Sequence, residues 1–219
     1  MVLANAFQAF VTAIGTNSVR MILVNDGSTA NVTEASLNKL RNAVPNLHYV
    51  SYDHNQGKGE ALRQGVQAAN APLMLFTDID FPYTIPSMVA VYEALQGGAD
   101  VALGYRNTAY YEKVPWFRKQ LSKFLRFMLK RVLRLAITDT QCGLKGFNQR
   151  GREQFLRTSI NRFLFDLEFV MLTSRQAEME TRPVQVALRD DVTFSKVNGR
   201  ILLREAINFF GLLLNPRTK

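Results

Sequence analysis

Apolar residues recur along this chain in two alternating rhythms, a helical spacing of three to four and short unbroken runs of aliphatic and β-branched residues. Residues 3–14 (LANAFQAFVTAI) carry the helical spacing. VRMILV at 19–24 is a run that stops at the turn-forming NDGST of 25–29, a strand-to-loop junction. A helix over about 32–43 follows, then a strand LHYVSY at 47–52, the polar loop DHNQGKG at 53–59 and a helix over about 60–70. The run at 73–77 reads as a buried strand, 84–97 as a helix and ADVALGYR at 99–106 as a further strand. Later segments predict helices over 150–157 and 163–176 and a strand, TRPVQVAL, at 181–188.

Alternating helices and apolar strands predict an α/β fold with a mostly parallel central sheet flanked by helices. Ligands of such sheets bind beyond the carboxyl ends of the strands. That rule places Asn25, Asp26, Gly57, Lys58, Asp78, Asp80 and Arg106 on one rim.

A different pattern occupies 117–136, FRKQLSKFLRFMLKRVLRLA. Its apolar residues keep helical spacing with seven Lys/Arg between them, which predicts a basic amphipathic helix. The stretch ILLREAINFFGLLL at 201–214 is apolar but interrupted by Arg204 and Glu205, and it is shorter than the roughly 20 residues that span a bilayer. We read 1–195 as one catalytic domain and 196–219 as an apolar and basic juxtamembrane-like helix. The first positive charge is Arg20, and Asn5 and Gln8 break the apolar start, so no signal peptide is predicted.

With 219 residues and 47% hydrophobic content, the chain has the material for a substantial core. Its single cysteine, Cys142, excludes an intrachain disulfide and points to a reducing compartment. The formal charge of +9 is regional: residues 102–165 carry fourteen Lys/Arg against three acids. Such a region suits phosphate-rich partners, whether nucleic acid, anionic headgroups or phosphorylated small molecules. The aromatics at 105–117 match no RNA-binding motif, and nucleic acid is not an expected partner.

The densest chemistry lies at 73–83, LMLFTDIDFPY, where a strand ends in two carboxylates, Asp78 and Asp80, followed by Pro82. Carboxylate oxygens suit hard cations such as Mg²⁺ or Mn²⁺, which bridge to a diphosphate. A pair of solvated turn carboxylates is the other reading of so short a motif. Gly57-Lys58-Gly59 lacks the spacing and the following Ser/Thr of a Walker loop. Cys142 reads as a small packing residue, and Asp166 and Glu168 as first-turn carboxylates favoured by a helix dipole.

The ordered series VNDGST, HNQGKGEALRQG, FTDIDFPY, GYR, DTQCGLKGF and FDLEF resembles the family 2 glycosyltransferases. It is most similar to the branch of dolichol-phosphate mannose and glucose transferases and bacterial polyprenyl-phosphate glycosyltransferases. The resemblance covers about 19–200. It implies a GT-A fold, a UDP- or GDP-linked sugar donor, a polyprenyl phosphate acceptor and inversion at the anomeric carbon. Asn25, Asp26, Gly27, Lys58 and Asp78 would then serve the donor, and Asp78 and Asp80 would hold Mg²⁺ or Mn²⁺. Arg106, Arg118, Ser122 and Gln141 match positions near the acceptor phosphate. Asp80, Arg106 and Asp139 are the expected catalytic group, with Asp139 either a general base for a hydroxyl acceptor or a residue that orients basic groups for a phosphate acceptor.

Two positions depart from the family pattern. Pro82 stands where mannose synthases commonly have a glutamine able to ligate the metal, so water or substrate oxygens would complete the shell. Family members also begin with a strand ending in a Pro-x-Tyr-Asn-Glu-like motif, and none precedes the helix at residue 3. The expectation is a GT-A sheet without its first strand, in a chain that is either a shortened form of a longer protein or one with an incomplete site. A phosphate monoester is already anionic near neutrality, with a second pKa of about 6, and needs no general base. A peripheral location on the cytoplasmic face of a membrane fits both the acceptor and the basic helix.

Overall fold

The structure, a computed structural model, describes residues 2–106, 139–162 and 164–192. The predicted helices at 117–136 and 201–214, together with Arg118 and Ser122, lie outside them.

Helix α1 (Val2–Ile14) uses its apolar stripe to bury Ala4 and Phe10, and Phe10 meets Tyr92 edge-on at 6.5 Å. Strand β1 (Met21–Asp26) pairs in parallel with β2 (Leu47–Tyr52), Met21 opposite Leu47 and Asp26 opposite Tyr52. Between them runs α2 (Glu34–Ala43), whose first turn is capped by the Thr33 hydroxyl accepting from the Ser36 N–H at 3.1 Å. The chain continues through α3 (Lys58–Ala68), β3 (Leu73–Phe76), α4 (Ile85–Gln96) and β4 (Val101–Arg106). After residue 139 come β5 (Lys145–Asn148), α5 (Gln149–Leu156), α6 (Phe165–Ser174) and β6 (Thr181–Val186).

The strands form two sheets, a β1-β2 pair and a four-stranded sheet in the order β3-β5-β4-β6. β5 runs antiparallel to both its neighbours, while β4 and β6 are parallel, so β3, β4 and β6 share one direction. Helix α3 bridges the two sheets. Its Gly65 lies against Val24 and Ile22 of β1, and its Val66 is buried in the same cluster as Met74 and Phe76 of β3.

One core is aromatic. Phe155 stacks on Phe147 at 5.2 Å and meets Phe169 at 5.1 Å and Phe76 at 5.5 Å. Removing one such ring costs about 3–5 kcal/mol. The opposite cluster joins α1 and α4 to the other face through Phe10, Val91, Leu95, Ala102 and Leu144.

The elements predicted within the described residues are present with ends shifted by at most two residues. Strand β5 was not predicted. Its sequence, KGFN, opens on a lysine and a glycine and carries no run of apolar residues. It is a strand because its backbone is paired on both sides and its lysine is neutralised inside the protein.

Candidate active site

Most of the predicted rim residues gather at the carboxyl ends of β1, β3 and β4, but several carboxylates act as struts. At the end of β1, the Asn25 side chain is taken up by its own turn, accepting from the Ser28 N–H and donating to the Ser28 carbonyl, each at 2.9 Å. Asp26 accepts from the Gln56 N–H at 2.7 Å, the Gly57 N–H at 2.9 Å and Asn55 Nδ2 at 2.8 Å. It therefore fixes the loop that leads into Lys58. Gly27 lies beneath the same loop: at φ +70°, a Cβ there would stand 2.5 Å from the Asn55 nitrogen.

Lys58 opens α3, and its Nζ pairs with Asp78 Oδ1 at 2.5 Å. Burial works against the Lys58 charge, but the Asp78 and Asp166 carboxylates outweigh it and hold the ammonium pKa above its usual value. The other oxygen of Asp78 faces Gly143. A Cβ on that glycine would come within 2.6 Å of Oδ2. Asp80 is exposed and has no hydrogen-bond partner among the described residues. Past it, Phe81 takes φ 46° and is buried, and Pro82 offers its carbonyl to the Arg189 N–H at 2.9 Å. The loop bearing both aspartates is thus stitched to the chain leaving β6.

Arg106 ends β4 and meets Asp139 three times. Its backbone N–H donates at 2.7 Å and its Nε at 2.9 Å to Oδ2, and its Nη2 donates at 2.6 Å to Oδ1. Burial alone would raise the Asp139 pKa, yet these bonds and the guanidinium charge hold it below the usual carboxylate range. Both Asp139 oxygens thus accept from Arg106, a contact that fixes the orientation of the guanidinium. Gln141 lies exposed on the next turn.

Tyr83 and Lys145 escaped sequence reasoning. The Tyr83 hydroxyl accepts from the Gly143 N–H at 2.7 Å and holds the 139–143 turn against Asp78; burial pushes its own pKa up. Lys145, wholly buried on β5, donates to the Cys142 carbonyl and pairs with Asp166. Asp166 stands in the first turn of α6, as expected, and is in addition the partner of a buried lysine. Glu168 likewise leaves its own helix, accepting from the N–H groups of Ser159 and Ile160 at 2.8 and 2.9 Å. Cys142 is fully buried, and burial raises its thiol pKa. Only contacts between residues distant in sequence reveal these roles.

Asp78 and Asp80 offer hard oxygen donors suited to Mg²⁺ or Mn²⁺. Among the described residues no group of three or more His, Cys, Asp or Glu is placed to hold a metal alone. Two carboxylates on an open rim fit a cation shared with substrate phosphates. Also among the described residues, no helix is long and apolar enough to cross a membrane.

The chain is 28% identical over 163 residues to a dolichyl-phosphate beta-glucosyltransferase of Drosophila melanogaster, covering 69% of this chain and 50% of that protein. It is 26% identical over 186 residues to the Saccharomyces cerevisiae dolichyl-phosphate beta-glucosyltransferase, covering 75% and 55%. An undecaprenyl-phosphate 4-deoxy-4-formamido-L-arabinose transferase of Serratia proteamaculans is 26% identical over 144 residues, covering 64% and 42%. The chain thus spans about half the length of these curated relatives. Among solved structures, glucosyl-3-phosphoglycerate synthase from Mycobacterium tuberculosis, in complex with Mn²⁺, UDP-glucose and glycerol 3-phosphate, superposes with a TM-score of 0.60 at 15% identity. That match covers 99% of this chain and 76% of the other, and it shows the GT-A fold. Residues 2–155 match the family described as Glycosyl transferase family 2, and the chain belongs to that family.

Proposed function

We propose that this chain catalyses transfer of a sugar from a nucleotide-diphosphate sugar to a polyprenyl phosphate, with inversion, while bound peripherally at the cytoplasmic face of a membrane. The observation that carries the reading is the joining of two charged centres by one turn. Asp78, paired with Lys58, lies against Gly143 at one end of residues 139–143, and Arg106 pairs with Asp139 at the other end. The named relatives act on dolichyl and undecaprenyl phosphates, which supports the acceptor class.

Asp78 and Asp80 would hold Mg²⁺ or Mn²⁺, which when bound supplies Lewis-acid stabilisation of the departing diphosphate. Asp26 and the backbone it fixes shape the donor side, and Lys58 brings a positive charge to the diphosphate. On the acceptor side, Asp139 fixes the plane of the Arg106 guanidinium, which can then steer a phosphate oxygen. That oxygen is an anion near neutral pH, so attack on the anomeric carbon needs no protein base. A hydroxyl acceptor would need one, and Arg106 weakens Asp139 as a base by holding its pKa below the usual carboxylate range.

The test is incubation of the protein, in vesicles containing dolichyl or undecaprenyl phosphate, with radiolabelled UDP- and GDP-sugars and Mg²⁺ or Mn²⁺. Formation of an organic-soluble, acid-labile labelled lipid supports the reading. Absence of such a product across the whole panel overturns it.

A further inference from the structure

The contacts of Asp78 set what a cation meets there. One oxygen lies beside Gly143, where only the absence of a side chain leaves space, and the other is already paired with Lys58 Nζ at 2.5 Å. A divalent cation bound through either oxygen of Asp78 would share that carboxylate's single negative charge with the Lys58 ammonium, so the two positive charges compete for it. We propose that Lys58 is a positioning residue that keeps Asp78 paired until donor arrives, then yields Asp78 to the cation and turns to the diphosphate. The proposal rests on reading Asp78 and Asp80 as the metal-diphosphate site.

Three features suit Lys58 to this exchange. Its backbone cannot drift, because Asp26 holds the N–H groups of Gln56 and Gly57 and the Asn161 carbonyl accepts from the Gly59 N–H at 2.8 Å. The movement is confined to the side chain. The Asp166 carboxylate also attracts the Lys58 ammonium, so leaving Asp78 does not strand a half-buried charge. Asp166 is itself paired with Lys145, so its charge is shared between the two ammonium groups. The result is an alternating series, Lys145, Asp166, Lys58, Asp78, whose outer end is the cation ligand.

The test measures Mn²⁺ binding without nucleotide, by the electron paramagnetic resonance signal of free Mn²⁺, in the wild type, Lys58→Met and Lys58→Arg. The pair is partly exposed, with side chains at 30% and 39%, so the gain is set by a screened ion pair. Lys58→Met should bind Mn²⁺ about two- to fivefold more tightly than the wild type. Lys58→Arg, which keeps the charge, should show no gain. With Mn²⁺ saturating, Lys58→Met should bind UDP or GDP more weakly than the wild type, because the charge that turns to the diphosphate is gone. The proposal is overturned if Lys58→Met, with an unchanged circular dichroism spectrum, binds Mn²⁺ no more tightly, or if Lys58→Arg shows the same gain. Failure of the wild type to bind UDP or GDP in the presence of Mn²⁺ instead counts against the donor reading, and the Mn²⁺ comparison registers separately from it.

Discussion

Neutralising either member of the Lys145–Asp166 pair should cost more stability than any other single charge removal in the described protein. Lys145 is 0% exposed and Asp166 4%, and the lysine also donates to the Cys142 carbonyl. Removing one partner of a buried pair leaves the other uncompensated, at a cost of about 3–5 kcal/mol. For a chain of this length each kcal/mol lowers Tm by about 2–4 °C, so Lys145→Met or Asp166→Asn should melt about 6–20 °C below the wild type. The double variant should recover about 1–3 kcal/mol relative to the sum of the singles, because neither charge is then stranded. A pH series gives an independent reading. Burial pushes the Asp166 carboxyl up even with Lys145 present, and without Lys145 it rises further. The folded state then binds a proton more readily than the unfolded state, so the Lys145→Met deficit should shrink as pH falls from 7 towards 5. Circular dichroism melts of the four proteins at several pH values test this. Singles within about 1 kcal/mol of the wild type, or a double equal to the sum, would refute the stranded-charge reasoning.

Gly143→Ala places a Cβ 2.6 Å from Asp78 Oδ2, and overpacking of this kind costs about 1–3 kcal/mol. Mn²⁺ affinity should fall, read by calorimetry, while circular dichroism stays native. Asp139→Asn removes the partner that orients Arg106, so KM for the lipid phosphate should rise with Mn²⁺ affinity unchanged. Because Arg106 holds the Asp139 pKa below the usual range, the pair's stability is full above the ordinary carboxylate pKa and is lost as pH falls through the depressed value. Acid titration of the wild type should show that loss, and Asp139→Asn should lack it. Asp26→Ala frees the Gln56 and Gly57 N–H groups, and should weaken UDP or GDP binding in calorimetry without changing Mn²⁺ binding alone. Replacing Arg118, Lys119, Lys123 and Arg126 by glutamine should reduce sedimentation with phosphatidylserine vesicles by orders of magnitude at low salt, at roughly 1 kcal/mol for each charge near the surface.

The sequence makes the rim legible because element type depends on local spacing. Once VRMILV and the run at 73–77 read as strands, Asp26, Lys58 and Asp78 must share an end of the sheet. It does not reveal partners. Asp26 reads as a nucleotide contact, but its oxygens are filled by backbone thirty residues on, from Gln56 and Gly57. Asp166 has the sequence context of a helix-start carboxylate, and only the pairing of β5 with β3 and β4 brings Lys145 to it. Tyr83 and Gly143 carry no motif signal strong enough to single them out, and their roles arise from one hydrogen bond and one close approach across sixty residues.

The charge pairing divides the work between rim and surplus. Lys58, Arg106 and Lys145 are each matched by a carboxylate, so the described rim holds little net positive charge before substrate arrives. Most of the excess within 102–165 instead lies among the basic residues of 113–134. Matched pairs orient: they fix where a phosphate oxygen or a cation can sit, and they exchange partners at small cost. A local surplus of like charge attracts at range, over about 8–10 Å at physiological salt, without imposing geometry. On this division, gathering anionic lipid and aligning the reacting phosphates belong to different residues, and loss of one should leave the other measurable.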